Sequence, residues 1–206
     1  MEFDLVVVGL GIEGSLKAAK AAAGIEGKRV LHVGRIDERY GGQHMTYKGI
    51  DSIPLLLSPS GPLANDMIEM GTAEYVSFVP VQTITCFTRS GKPLKVPFKK
   101  EHIMLESSIS LLDKRRLMSF IESFRECNDA TFDQMLEKSA LSDDVADLIK
   151  YGICFLKSPE DHFPDIKLRG KIEKYFKSLP QPFLYPLYGS SEICQALVRT
   201  SAVHGA

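Results

Sequence analysis

Apolar positions follow two different periods along this chain. Near the start, Leu5 to Val8 are four consecutive β-favouring apolar residues. Such a run predicts a strand covered on both faces, as in a parallel sheet. The alanine-rich stretch from Ser15 to Ala23 is strongly helix-favouring, and Lys28 to Val33 reads as a second strand. These three pieces make one strand–helix–strand unit. A polar stretch runs on to Ser52, Ile53 to Ser58 is apolar, and Leu63 to Met70 forms a short helix carrying Leu63, Met67 and Met70. Tyr75 to Val79 and Val81 to Thr88 read as strands separated by Pro80. Ser90-Gly91 is a turn signal, and Pro93 to Val96 returns as an edge strand.

From about Leu105 the period becomes helical. Leu117, Phe120, Ile121 and Phe124 fall at i, i+3, i+4 and i+7. Thr131 to Gln134 has the spacing of a capping box. Ser142-Asp143-Asp144 starts a helix on which Val145, Leu148, Ile149 and Leu156 share a face. Ile172, Tyr175, Phe176 and Leu179 repeat the pattern before Pro180. The expected organisation is an α/β domain formed by residues 1–104 and 180–206, with a helical domain inserted at 105–179. The inserted block either buries only its own core or also opens an apolar pocket, and periodicity does not separate the two. After the Pro-punctuated aromatic block Phe183 to Gly189 comes a helical run, Ile193 to Ala202. Glu192 and Arg199 lie seven residues apart, two helical turns, and so project from one face. That face suits a protein interface or plain solvent exposure.

The junction after the first strand holds the candidate chemistry. Gly9, Gly11 and Gly14 form a Gly-x-Gly-x-x-Gly turn. Gly9 allows the tight turn, Gly11 lets a pyrophosphate approach the backbone, and Gly14 lets the helix pack close to the strand. The helix N-terminus would face the phosphates with free N–H groups. A dinucleotide also needs an Asp or Glu at the end of the second strand, to accept the ribose hydroxyl. Here that position is Gly34, and the first carboxylate, Asp37, comes three residues later. Glycine cannot accept that hydrogen bond. The turn is therefore expected to be degenerate and to hold no flavin or nicotinamide cofactor, its glycines serving chain geometry. The competing reading, a flavin- or NAD-dependent oxidoreductase, has only the intact glycines in its favour.

Composition narrows the classes further. The 206 residues are 44% hydrophobic and 25% charged, with a net charge of −1. That is ordinary for a globular protein and offers no basic field for nucleic acid. No apolar stretch reaches the ~18 residues of a membrane span. Cys86, Cys127, Cys154 and Cys194 are scattered without a Cys-x-x-Cys pair, which fits a reduced, cytoplasmic setting. The dispersed histidines give no metal cluster. No catalytic constellation and no metal site are expected.

Taken together, the motifs resemble the Rab GDP dissociation inhibitors and their relatives, the Rab escort proteins. The resemblance is carried by "DLVVVGLGIEG" at 4–14, "VLHV" at 30–33 with "RYGG" at 39–42, "DKRRLMSFI" at 113–121, and "PFLYPLYGSSEICQALVRTSAVHGA" at 182–206. It implies an FAD/NAD-binding-like, Rossmann-type α/β fold that uses no flavin, with an inserted helical domain. It implies a non-enzymatic protein whose α/β platform binds a Rab-family small GTPase in its GDP form. The helical domain would shelter the GTPase's geranylgeranyl groups, with only transient membrane contact. By motif position the platform residues are Tyr40, Glu192 and Arg199. The escort branch adds Rab geranylgeranyltransferase as a partner. The sequence departs from the inhibitors at Arg39, where a second tyrosine is usual, and at Ser191 to Gln195. The family continues for roughly as much chain again, so the expectation is a truncated member or the N-terminal half of one.

Overall fold

The computed structural model describes residues 2–24, 28–35, 37–126, 131–156, 168, 170, 172, 173, 175 and 183–206. The chain divides into two compact units, Met1–Pro80 with Phe183–Ala206, and Val81–Pro182.

In the first unit, β1 (Leu5–Val8) and β2 (Val30–Val33) pair in parallel, Leu5 opposite Val30 and Val8 opposite Val33. Between them runs α1 (Ile12–Ala23), which buries Ser15, Ala18, Ala19 and Ala22. The final helix of the unit, Ser191–Val203, packs against α1. Small residues allow the close approach: Ala19 and Ala196 share one core cluster with Ile193, Leu197, Met67 and Leu57. Val7, Ala18, Ala22 and Val30 form a second cluster between the sheet and α1. The short helix α2 (Pro62–Glu69) supplies Ala64 and Met67 to the first cluster.

The doubly covered β1 expected from its apolar run is not what forms. Val7 is buried, but Val6 is 54% and Val8 73% exposed, and Val33 beside them is exposed too. The physical reason is that β1 has one strand neighbour, β2, and helices on one face alone among the described residues. An unbroken apolar run fixes strand propensity without fixing how many layers cover it.

Two further pairings complete this unit. The polar stretch before Ser52 contains a hairpin that sequence reading passed over, β3 (Thr46–Tyr47) with β4 (Ile50–Asp51). Its turn, Lys48-Gly49, has both residues in the left-handed region, the geometry of a type I′ turn. The signal was there: a two-residue loop ending in glycine, with β-favouring Thr46, Tyr47 and Ile50 around it. Strand β5 (Phe78–Pro80) pairs antiparallel with a strand just before the final helix, Leu184–Pro186. Tyr75, read as strand, instead ends a 3-10 turn, Thr72–Tyr75.

In the second unit, β6 (Thr85–Phe87) and β7 (Pro93–Lys95) form an antiparallel hairpin. The strand of the first unit that pairs with β5 is β8 (Leu184–Pro186). The helices of the second unit are α3 (Lys100–Leu105), α4 (Leu111–Glu126), α5 (Phe132–Lys138) and α6 (Asp143–Asp147). The Thr131–Gln134 capping box forms as its spacing predicts. Phe120, Phe124 and Phe132 pack ring against ring at 5.5–6.0 Å, with both cross-helix pairs edge-on. Ile172 and Tyr175 are buried; Phe176, Leu179 and Cys127 lie outside the described residues.

The boundary between the units falls after Pro80, not at 104/105 where the hydrophobic period changes. The β6–β7 hairpin belongs with the helices because side chains tie it there. Arg89 in its turn binds Asp147 at the end of α6, with Nη2 to Oδ1 at 2.9 Å and its own N–H to Oδ2 at 3.0 Å. A π-helical turn, Leu148–Ile153, follows α6. There a Cβ on Gly152 would lie 2.9 Å from Val96 and 3.5 Å from Cys86, so the hairpin rests on the turn at van der Waals distance.

Burial alone would raise the Asp147 carboxyl, but the hydrogen bonds and charge of Arg89 outweigh it and hold it below the usual range. Arg89→Ala should strip the guanidinium from a side chain that is 1% exposed, at a cost of about 2 kcal/mol. Urea unfolding at pH 7 measures this. Because a depressed carboxyl contributes stability that is lost as pH falls through its folded pKa, the variant's acid unfolding should also lose part of its pH dependence.

Candidate functional site

The glycine turn keeps its geometry. Gly9 has φ of +107°, and a Cβ on Gly14 would lie 2.6 Å from the Gly9 carbonyl oxygen, so α1 starts against the turn as closely as glycine permits. His32 Nε2 sits 2.7 Å from the same carbonyl. A Cβ on Gly11 would meet nothing within 4 Å, so no packing contact demands glycine there.

The nucleotide-recognising half of the site does not fit a dinucleotide. A Cβ at Gly34 would lie 2.5 Å from Leu10 Cγ, so an apolar side chain fills the place of the missing ribose acceptor. A carboxylate does reach the turn, one that counting along the strand missed. Glu38 doubles back, its Oε1 accepting the Leu10 N–H at 2.8 Å and its Oε2 the Arg35 N–H at 3.1 Å. Those backbone bonds hold its carboxyl below the usual range. Both oxygens are thus engaged within the chain, and their negative charge opposes a pyrophosphate. Glu13 adds a second carboxylate in the first turn of α1. The same loop is tied down again by the Gly41 N–H on the Leu10 carbonyl, 3.0 Å.

Another carboxylate organises the start of the last helix. The last helix, α7 (Ser191–Val203), begins beside Asp51 of β4. Asp51 accepts from Ser190 N–H at 2.9 Å, Tyr185 OH at 2.6 Å, Thr46 Oγ1 at 2.5 Å and the Ser190 hydroxyl. Ser190 Oγ accepts in turn from Leu55 N–H, and Thr46 Oγ1 from Ser191 N–H. Gly189 makes this approach possible: any Cβ there would lie 2.5 Å from Thr46. One negative charge at a helix N-terminus also meets the positive end of the helix dipole.

From this anchored start α7 presents a face to solvent. Glu192 is half-buried in the first turn and its Oε2 accepts the Tyr188 N–H at 3.2 Å. Gln195 and Arg199 are exposed on the following turns. Tyr188 is 73% exposed and Leu187 is exposed beside it. Arg199 Cζ lies over the Tyr75 ring, 4.4 Å from its centroid. Tyr40 is exposed in the loop before Gly41, while its neighbour Arg39 stacks on Tyr47 at 4.7 Å. Glu192 and Arg199 therefore share one helix. Among the described residues, no hydrogen bond or ring contact joins Tyr40 to either. Sequence reasoning missed Tyr75, Asp51 and Glu38, each of which acts through a contact across a large sequence separation.

No metal-ligating group of three or more His, Cys, Asp or Glu is found among the described residues. Burial pushes the Cys194 thiol up to about 11 and raises that of Cys86, so neither supplies a thiolate near neutral pH. In the second unit a cavity of about 320 Å³ is lined by Phe120 and Met135, with Arg116, Ser119, Ser123, Lys138 and Ser139 around them.

The first unit thus defines a class: a Rossmann-type α/β frame of the kind flavoproteins use, with its nucleotide seat altered and an exposed helical face beside it. Solved structures share the frame. A crystal structure of a Rab GDI from Plasmodium falciparum superposes with a TM-score of 0.74 at 19% identity, covering 98% of this chain and 56% of that one. An oxidoreductase from Methanosarcina mazei superposes with a TM-score of 0.62 at 23% identity, covering 98% and 49%. A family model, GDP dissociation inhibitor, matches residues 38–206, and the chain belongs to that family. A guanosine nucleotide diphosphate dissociation inhibitor of Arabidopsis thaliana is 26% identical over 99% of this chain and 55% of its own length. The chain spans about half the length of the curated relatives it matches.

Two outcomes follow from the two carboxylates. Gly34→Glu, which restores the acid in place, should give no micromolar binding of FAD or NAD by calorimetry, because Leu10 and Glu38 still occupy the seat. For Asp51, burial would raise the carboxyl, but bonds from Ser190, Thr46 and Tyr185 outweigh it and lower it. Its contribution to stability is then present above the unfolded carboxyl value of ~3.9 and lost as pH falls through the lower folded value. Asp51→Asn should lower the unfolding midpoint at pH 7 and flatten the stability profile below about pH 4.

Proposed function

We propose that this chain is a regulator of Rab-family small GTPases of the GDP-dissociation-inhibitor type, binding the GDP form and catalysing no reaction. The observation that carries the reading is the solvent-facing side of α7, with half-buried Glu192 and exposed Arg199, inside the region matched by the family model. An exposed guanidinium and a carboxylate on one rigid helix, next to exposed Tyr188 and Leu187, have the mix of charge and aromatic surface on which binding hot spots are built. Tyr40 joins them as the third platform residue. A protein that binds only the GDP state stabilises that state by its differential affinity, and nucleotide release slows accordingly.

The lipid belongs to the same proposal. Burying a twenty-carbon geranylgeranyl chain at ~0.8 kcal/mol per carbon yields at most about 16 kcal/mol gross. That is comparable with the chain's hold in a bilayer, so extraction needs platform and lipid shelter together. The helical unit is the candidate shelter. Its ring cluster of Phe120, Phe124 and Phe132 packs α4 against α5, and the cavity of about 320 Å³ lined by Phe120 and Met135 lies between the same two helices, where a prenyl chain would enter. The reading places the work in the cytoplasm with transient membrane contact. None of the helices among the described residues is long and apolar enough to cross a membrane.

The test is GDP release from Rab GTPases loaded with fluorescent GDP, followed as the chain is titrated in. Slower release is expected. An unchanged rate across a Rab panel at tens of micromolar would reject the reading. Arg199→Ala should weaken binding by about 1–3 kcal/mol if the guanidinium is a charged hot spot.

A further inference from the structure

Arg199 is exposed, yet it is not loose. Its guanidinium carbon lies 4.4 Å from the centroid of the Tyr75 ring. Tyr75 closes the 3-10 turn Thr72–Tyr75, and that turn is fastened to α7 one residue from Arg199. Thr72 Oγ1 and Thr200 Oγ1 meet at 2.9 Å, both residues fully buried. Thr200 gives its hydrogen to the Ala196 carbonyl, 3.0 Å away, so Thr72 is the donor across the pair. Val76, next to Tyr75, is buried in the core cluster beneath α7. The base of the Tyr75 ring is therefore pinned on both sides, and the ring is fixed relative to the helix that carries Arg199.

Among the described residues no carboxylate lies within ion-pair distance of Arg199. Its N–H fork is left for an acceptor from outside the chain. An arginine side chain has many rotamers, and part of that entropy is lost when it is immobilised on binding. A ring held under the guanidinium removes some of that loss beforehand, and cation–π attraction adds to the stability of the held conformer.

We propose that Tyr75 is a positioning residue: it holds the Arg199 guanidinium over its ring as a preformed fork for a carboxylate on the partner GTPase, and contributes to binding only through Arg199. This rests on the Rab-binding reading above.

Two measurements test it. In the free chain, proton NMR should find the δ-methylene of Arg199 shifted upfield by the ring current. The shift should vanish in Tyr75→Leu and persist in Tyr75→Phe, which keeps the ring face. An unshifted δ-methylene in the unaltered chain overturns the proposal. In binding, the probe is the GDP-loaded Rab that the unaltered chain binds most tightly. Tyr75→Leu should weaken it about three-fold, and Tyr75→Phe should restore it. In an Arg199→Ala background, Tyr75→Leu should have no further effect. Equal weakening in both backgrounds means that Tyr75 acts by contacting the partner or by supporting the fold, and refutes the positioning role. Intact Arg199 dependence with no coupling to Tyr75 refutes this proposal alone. Absence of any Rab binding removes the functional reading, and this proposal with it.

Discussion

The carboxylate of Asp51 at the start of α7 is the interaction on which the first unit depends. It gathers donors from β3, β8 and the residue that opens the helix. Thr46 lies only 5 residues from Asp51, but Tyr185 and Ser190 lie 134 and 139 residues away. A carboxylate can accept several hydrogen bonds at once, and each donor here would otherwise need water or another partner. Satisfying them all with one group fixes the helix start, and with it the direction in which Glu192, Gln195 and Arg199 leave the surface. The alanine-lined contact between α1 and α7 then sets the helix's depth, since small side chains let the two axes approach.

The same logic explains how a nucleotide-binding frame can serve another purpose. The glycine turn is retained because strand and helix cannot meet so closely without it: Gly9 needs its left-handed backbone and Gly14 its missing Cβ. What has changed is the part of the site that recognises a ligand. Leu10 occupies the place of the ribose acceptor, and Glu38 binds amides within its own chain. The loop so anchored leads directly to Tyr40. A contact that in a dinucleotide protein would face a ligand here stabilises the segment carrying a residue of the proposed platform.

The helical unit shows a different balance. Its α4 and α5 meet through aromatic rings that fill the interior, and its hairpin is held by a buried carboxylate with an exposed arginine. The strength of that pair comes from the hydrogen bonds Arg89 gives to a desolvated acceptor, because an ion pair in water contributes little. Sequence periodicity located the helices, but the hairpin's allegiance rests on Arg89 and Asp147, which are 58 residues apart.

By itself the sequence determined what depends on near neighbours. The strand–glycine–helix unit, the capping box at Thr131, the helical period from Leu117 to Phe124 and the family resemblance were all legible, because each is encoded within a few turns of chain. The loss of the ribose acceptor was legible too, from Gly34 alone. Only the tertiary structure decided the rest. It set the exposure of Val6 and Val8, which depends on which layers surround a strand rather than on its own residues. It brought Glu38 back to the turn, Asp51 to the foot of α7 and Tyr75 beneath Arg199. Each of these joins groups that no local pattern relates, through hydrogen-bond and ring geometry that exists only once the chain has closed on itself.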